Sequence, residues 1–230
     1  MSVTRFLVLL VFGLPMLLAC GPQYMTKHEA FPKVYTERPL SILVLPPIND
    51  TTAVDAKEYY ATTIAEPLSL SGYYVFPLEV ISEILKNEGV YDTETLVNLP
   101  TQKFREFFGA DAVMYIWIKR WSTSYYVIAG NVTVAIRSLI RSTTTGEDLW
   151  QYEGTIIEDT TVTSSGGGLA GIAVALIATA IKTAATDYVP VAKRANYVII
   201  NTLPCGKYHP SFDKDREEKA VMEKVMRTKK

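Results

Sequence analysis

Segments in which apolar residues recur every three or four positions alternate with short apolar runs in the first half of the chain. The short runs are rich in β-branched and aromatic residues and end at prolines, which is typical of strands, whereas the longer segments are typical of helices. The predicted order is strand 41–47, helix 56–71, strand 73–76, helix 77–89 and helix 100–109. In the last helix the inward residues are expected to be Phe104, Phe107 and Phe108.

The second half begins with long strand-like runs. Residues 110–121 and 125–141 are two such runs, and residues 143–162 follow them. Val132, Val134 and Ile136 alternate with polar residues, which indicates one buried and one wetter face. TTTGED predicts a hairpin turn that uses Gly146. We therefore predict one α/β (α+β) domain, in which a βαβα front half leads into an antiparallel meander and helices pack on a mixed sheet.

Two further helices are expected after the meander. The segment 169–185 is rich in alanine, and 189–204 has apolar residues at helical spacing, although a strand was the alternative there. The last residues alternate in charge and predict a solvated helix or a disordered tail. The residues before the first strand combine three prolines with scattered charges and predict a tether. The expected organisation is signal peptide 1–19, tether 20–39, a single domain 40–212 and charged tail 213–230.

The first twenty residues predict a lipoprotein signal peptide. Arg5 precedes an apolar run that is long enough for a secretory signal and too short to span a membrane comfortably. The run ends in Leu17-Leu18-Ala19-Cys20, which resembles a bacterial lipobox. The signal would be cleaved between Ala19 and Cys20, and Cys20 would receive a diacylglycerol and an N-acyl chain. An ordinary signal peptide with an incidental cysteine is the alternative.

Lipidation would decide where the protein works. Several acyl chains on Cys20 exceed the two signals needed for stable anchoring. Gly21 stands where an Asp commonly retains lipoproteins at the inner membrane, so the resemblance implies sorting to the outer membrane, with the domain facing the periplasm.

Composition argues against several other classes of protein. The formal net charge is −1 and no segment is strongly basic, which disfavours a nucleic-acid partner. Two cysteines and two histidines cannot build a Cys/His zinc cluster. We therefore expect no metal. Because no G-x-S-x-G, H-E-x-x-H or P-loop pattern occurs, we also expect no catalytic residues and no cofactor besides the acyl chains on Cys20.

The stretch Gly166-Gly167-Gly168-Leu169-Ala170-Gly171 matches G-x-G-x-x-G, but it follows a predicted meander rather than opening a βαβ unit. Packing is therefore favoured over nucleotide binding, and the apolar run after it is too short to span a membrane. Its small residues would permit close helix approach, which makes Gly171, Ala175 and Ala178 a candidate interface, for instance in a homodimer.

Three other groups of residues have both a structural and a functional interpretation. Cys205 and His209 could form a nucleophile–base pair of an envelope hydrolase, although a lone buried thiol is the default. Arg137 and Arg141 lie opposite the apolar face of their strand, so a membrane hairpin is an alternative to a periplasmic sheet. The aromatic residues of the strand pair could form a ligand platform, although packing is favoured; they are Tyr115, Trp117, Trp121, Tyr125 and Tyr126.

Six stretches resemble a family of bacterial outer-membrane lipoproteins known from a meningococcal surface-antigen candidate. They are SILVLPPIN (41–49), GYYVFP (72–77), FGADAVMYI (108–116), TSYYVI (123–128), GGGLAG (166–171) and YHP (208–210). The resemblance implies the α/β fold of the TolB N-terminal domain, which the curli-secretion channel lipoprotein and an outer-membrane activator of peptidoglycan synthase share. The resemblance implies a function for only one residue, Cys20, as the lipid site.

The sequence therefore predicts a non-enzymatic, lipid-anchored protein that binds other envelope proteins during envelope assembly or transport. A subunit of a secretion or pore complex inserted in the outer membrane is the second hypothesis. An envelope hydrolase is the third.

Overall fold

A computed structural model describes residues 25–126, 129–161, 188–220 and 225–229. The helices are α1 (Lys27–Ala30), α2 (Pro32–Glu37), α3 (Ala56–Ala61), α4 (Ala65–Leu70), α5 (Leu78–Asn87), α6 (Gln102–Phe108) and α7 (Tyr188–Ile200), with a 3-10 turn at Thr93–Leu96. The strands are β1 (Ser41–Val44), β2 (Ile48–Asn49), β3 (Tyr74–Val75), β4 (Ala112–Tyr126), β5 (Ala129–Ser142), β6 (Asp148–Asp159) and β7 (Val225–Lys229).

One mixed sheet contains all of these strands, in the order β3-β1-β4-β5-β6-β7, with β2 also paired to β4. β1 is parallel to β3 and β4, because helices cross over between these strands. β4, β5 and β6 form an antiparallel meander. Gly146 has a φ of 76° at the β5–β6 turn, as the hairpin prediction requires. The predicted α+β class and the single mixed sheet are therefore confirmed.

Helices cover the two faces of the sheet and form two cores. On one face the inward residues of β1, β4, β5 and β6 pack against α3, α4 and α7. On the other face Leu43, Val113 and Tyr115 pack against residues of α5 and α6, including Ile81 and Phe104. Residues 189–200 are helical, which settles the strand-or-helix alternative for that segment in favour of the helix.

Two details of the predicted helices are wrong. The expected helix over 56–71 is divided into α3 and α4, because Pro67 has no N–H to donate to the carbonyl of Thr63 and fits only in the first turn of a new helix. Phe107 was expected to face inward but is 77% exposed. Phe104 faces inward as expected, with its ring edge-on to Tyr115.

The predictions for both terminal segments also need correction. Residues 27–37, expected within the tether, form α1 and α2, and they bury Phe31, Val34 and Tyr35. Residues 225–229, expected to be helical or disordered, form β7, which runs parallel to β6. The folded part of the chain is therefore larger than the predicted domain 40–212.

Candidate functional site: the junction of the N- and C-terminal segments

The chain enters the folded body beside the segment that follows α7. The amide of Lys27 donates to the carbonyl of Glu218 at 2.8 Å, and the amide of Ala220 donates to the carbonyl of Met25 at 2.9 Å. Thr26 and Lys219 form an antiparallel bridge. We call this pairing of residues 25–28 with residues 215–220 the terminal junction.

A buried carboxylate lies at the centre of the terminal junction. Asp215 is fully buried and accepts hydrogen bonds from Lys27 Nζ at 3.3 Å, Tyr35 Oη at 3.1 Å and the amide of Cys205 at 2.8 Å. Lys27 is itself only 4% exposed, and its ammonium group also lies 3.1 Å from Glu218 Oε2. Each charge therefore has a partner of opposite sign, as burial demands.

The surroundings of Asp215 keep it ionised. Burial alone would raise the pKa of its carboxyl, but the hydrogen bond from the Cys205 amide and the charge of Lys27 outweigh burial and hold the pKa below its usual value. The same carboxylate acts in the opposite sense on its neighbours. Burial and then the charge of Asp215 raise the pKa of the Tyr35 hydroxyl well above its ordinary value.

Local sequence signals explain how α1 and α2 reach this position. The Thr26 side chain accepts from the amide of Glu29, while Glu29 accepts from the amide of Thr26, which makes a capping box at the start of α1. The side chains of Phe31 and Val34 then pack in the hydrophobic core on one face of the sheet. The guanidinium of Arg216 lies 4.5 Å from the centre of the Tyr35 ring and so covers the junction from the solvent side.

The segment 204–209 connects the junction to the sheet by a close backbone contact. The amide of Gly206 donates to the carbonyl of Ser71 at 2.8 Å, and that of Tyr208 donates to the carbonyl of Gly72 at 3.1 Å. A Cβ atom on Gly206 would lie 2.4 Å from the carbonyl oxygen of Gly72, so only glycine permits this approach.

Cys205 lies in surroundings that oppose nucleophilic chemistry. Burial and the adjacent Asp215 carboxylate raise the pKa of its thiol to about 12, so that the thiol stays protonated. His209 Nδ1 accepts from the amide of Ser211 at 3.0 Å. These contacts argue against Cys205 and His209 as the nucleophile–base pair of a hydrolase.

The aromatic residues of β4 mainly contribute to packing. Tyr115 is fully buried beneath α6, and Trp121 stacks on Tyr188 of α7 with ring centres 5.0 Å apart. Trp117 is partly buried, with the Arg137 guanidinium 5.0 Å from its ring centre. For these three residues the structure favours packing over an open ligand platform; the side chains of Tyr125 and Tyr126 lie outside the described residues.

The apolar face of β5 is also covered by protein. Val132, Val134 and Ile136 are fully buried and belong to the core that contains α7. A membrane hairpin would need this face to contact lipid, so that alternative does not hold. Within residues 25–126, 129–161, 188–220 and 225–229, no helix is long and apolar enough to cross a membrane.

Several predicted site residues lie outside the described residues. They are Ala19, Cys20, Gly21, the G-x-G-x-x-G match at 166–171 and the candidate interface residues Gly171, Ala175 and Ala178. Conversely, sequence reasoning missed Lys27 and Asp215. Each stands in a stretch of mixed charge, and no local pattern distinguishes a buried member of such a stretch from an exposed one.

Known proteins resemble this chain in sequence and in structure. "Crystal Structure of Lipoprotein GNA1162 from Neisseria meningitidis" is 31% identical, with a TM-score of 0.49, and covers 64% of this chain and 100% of its own. A PelC dodecamer from Paraburkholderia phytofirmans is 18% identical, with a TM-score of 0.38, over 64% of this chain and 87% of its own. The LpoB C-terminal domain from Salmonella enterica is 17% identical, with a TM-score of 0.36, over 57% and 98%.

Comparison of sequences shows the family to which the chain belongs. "Putative lipoprotein NMB1124/NMB1162" of Neisseria meningitidis serogroup B is 32% identical over 197 residues, which cover 84% of this chain and 90% of that protein. The family model described as "Putative lipoprotein GNA1162-like" matches residues 31–206, a range that contains α2, the whole meander and the Gly72–Gly206 contact. The chain therefore belongs to the GNA1162-like lipoprotein family.

Proposed function

We propose that this protein is a non-enzymatic lipoprotein, anchored through lipidated Cys20 in the outer membrane, whose periplasmic domain binds other proteins during envelope assembly or transport. The lipobox-like Leu17-Leu18-Ala19-Cys20 and membership of a lipoprotein family support the anchor. The raised pKa of the Cys205 thiol disfavours that residue as a catalytic nucleophile.

The position of the terminal junction indicates how far the domain can lie from the membrane. It begins at Met25, only five residues after Cys20, and five residues reach at most about 17 Å when fully extended. A tether that continued to residue 39 would reach several times as far. The domain is therefore held beside the lipid headgroups, and the proteins it binds are expected to be close to the membrane surface.

Labelling with palmitate tests the anchor. Cys20→Ala should abolish labelling and leave the precursor uncleaved, whereas Cys205→Ala, a matched change of the other cysteine, should leave labelling intact. Fractionation should place the wild-type protein with outer membranes. Persistent labelling of the Cys20→Ala variant would remove the basis for the anchor.

Cross-linking in intact cells tests the binding role. A pull-down of the wild-type chain should recover specific envelope proteins. Inserting a flexible Gly/Ser segment between Tyr24 and Met25 should reduce this recovery, since the domain would no longer be held near the membrane. Recovery of no specific protein by the wild-type chain would contradict the proposed role.

A further inference from the structure

The outer side of α5 presents two kinds of side chain in adjacent rows. Val80 and Ile84 lie one turn apart and are 53% and 41% exposed, although the opposite side of the helix packs in the core. Glu79 and Glu83 each precede one of them in the sequence and are also exposed. Because residues four apart share one side of a helix, an apolar row lies beside an acidic row. We call these four residues the α5 surface.

Exposed apolar area also occurs where the sheet ends, just before α5. β3 is an edge strand of the sheet and leads into α5 through Phe76 and Pro77. Tyr74 is half exposed, with its ring edge-on to Phe76 and the ring centres 5.1 Å apart. Apolar side chains that follow one another in this way, rather than occurring singly, are typical of a surface that another protein covers.

The carboxylates of the α5 surface lack ionic partners. Among the described residues, neither Glu79 nor Glu83 forms an ion pair, and Lys86, the one cation of α5, forms none with them. Carboxylates on other helices are paired: Glu66 of α4 lies 2.6 Å from the ammonium group of Lys193, and Lys103 and Glu106 of α6 pair at 2.7 Å. The acidic row of α5 therefore differs from these helices in keeping its full negative charge.

The charges on and after α5 also oppose the stability of the helix itself. Glu79 and Glu83 are like charges one turn apart, which disfavours a helix. Glu88 is the C-cap residue, where a negative charge opposes the helix dipole. Exposed Asp92 and Glu94 follow, and within the part of the chain that the structure describes these three residues have no ion pair either. Cations supplied by another molecule would relieve each of these unfavourable interactions.

We propose that the α5 surface binds a basic amphipathic helix of a partner protein. Apolar side chains of that helix would pack on Val80 and Ile84, while its lysines or arginines would pair with Glu79 and Glu83. This deepens the proposed function, on which it rests only for the claim that the partner is an envelope protein.

The spacing of the two rows favours a helix as the partner, and their charge favours a protein over a lipid surface. Side chains four residues apart form ridges that pack into the grooves of a second helix, with apolar anchors one turn apart. A membrane surface also combines apolar and charged groups. Anionic lipids attract basic helices, however, and would repel an acidic row.

The first test measures binding of a labelled peptide by fluorescence anisotropy to the full-length protein in a neutral detergent, with the signal of detergent alone subtracted. The probe is a short helical peptide of leucine and lysine, with the leucines along one face. A second peptide has glutamate in place of each lysine and keeps the apolar face. Wild-type protein should bind the lysine peptide saturably and less tightly at high salt, and it should bind the glutamate peptide at least several-fold more weakly.

Two double variants distinguish the α5 surface from the charge of the whole protein. Glu79→Gln combined with Glu83→Gln should weaken binding of the lysine peptide roughly three- to tenfold, since each exposed ion pair contributes modestly. Asp55→Asn combined with Glu58→Gln changes the net charge by the same amount at exposed residues around the start of α3. This control should bind the peptide like the wild type.

A pair of single variants tests the apolar row. Val80→Ser should weaken binding about fivefold, whereas Val54→Ser, a change of another exposed valine, should have no effect. The proposal would be overturned by no saturable binding of the lysine peptide to the wild type, by equal binding of the two peptides, or by equal binding of the α5 variants and their controls. If a variant does not fold, the comparison of the two peptides decides.

Other occupants would give distinct results. Self-association of the purified protein that the Glu79→Gln, Glu83→Gln variant abolishes would identify a second copy as the occupant and overturn the proposal of a separate partner. In the cellular pull-down, this variant should recover less of the envelope partner than the wild type. Equal recovery would leave the proposed function standing and reject the α5 surface. No recovery by the wild type would reject the proposed function, and the peptide measurement would still decide the chemistry of the α5 surface.

Discussion

The ammonium group of Lys27 lies 3.3 Å from the carboxylate of Asp215, a residue 188 positions later in the chain, and both side chains are buried. This ion pair fixes the start of the folded body to the segment after α7. Both of its members lie outside residues 31–206, the range that the family model matches.

Removal of one partner of this pair should destabilise the fold strongly. Lys27→Ala leaves the Asp215 carboxylate buried without its cation, and we expect a loss of about 3 kcal/mol in the free energy of unfolding. Lys33→Ala is a matched control, because Lys33 pairs with Glu147 at 3.2 Å while both are about half exposed. Lys33→Ala should lower the free energy of unfolding, measured in urea, by less than about 1 kcal/mol. Similar costs for the two variants would show that the junction contributes little.

The contribution of Asp215 should depend on pH in a defined direction. Its pKa in the folded protein lies below the ordinary value of 3.8, so its stabilising effect is complete above that value and disappears as the pH falls through the lowered pKa. Wild-type stability should therefore fall more steeply than that of Asp215→Asn below about pH 4. Parallel unfolding curves for the two proteins over this range would contradict the assignment.

Cys205 should react slowly with iodoacetamide. Because its pKa is raised to about 12 from an ordinary value of 9.0, little thiolate exists near neutral pH. Asp215→Asn removes the carboxylate that contributes to this shift and should accelerate the reaction. Mass spectrometry of the peptide that contains residue 205 measures the rate without interference from Cys20. A wild-type rate equal to that of free glutathione would be inconsistent with a protonated, buried thiol.

Gly72 should tolerate no side chain. Its φ is 87°, and a Cβ atom there would lie 2.4 Å from the backbone nitrogen of His209. Gly89 has a similar φ of 80° but open space around it, so Gly89→Ala measures the backbone strain alone, about 1–2 kcal/mol. Gly72→Ala should lower the melting temperature clearly more than Gly89→Ala. Equal effects would mean that segment 204–209 moves away at little cost.

Sequence periodicity was sufficient to predict the sheet and most of the helices that pack on it. The alternation along β5 correctly separated Val132, Val134 and Ile136 from the residues on the opposite face, because burial on one face of a strand leaves a local trace. The break between α3 and α4 was also present locally, in Pro67, but the apolar spacing on both sides of it suggested one helix.

The terminal junction could not be predicted in the same way. Phe31 and Val34 are too few to produce a visible period, and they stand among prolines and charges that are typical of a tether. Asp215 is buried only because Lys27, Tyr35 and the Cys205 amide converge on it. A contact between segments so far apart in the sequence leaves no trace in either segment alone.

The antiparallel bridge between Thr26 and Lys219 also determines how a mechanical load would enter the molecule. A pull on the chain before Met25 acts first on this bridge and then on the Lys27–Asp215 pair, so these contacts would open one after another. Their release would free residues 25–30, which precede the buried Phe31, and would lengthen the tether by up to about 20 Å. The junction would thus yield before the domain unfolds, and it could absorb strain between the membrane and whatever the domain holds.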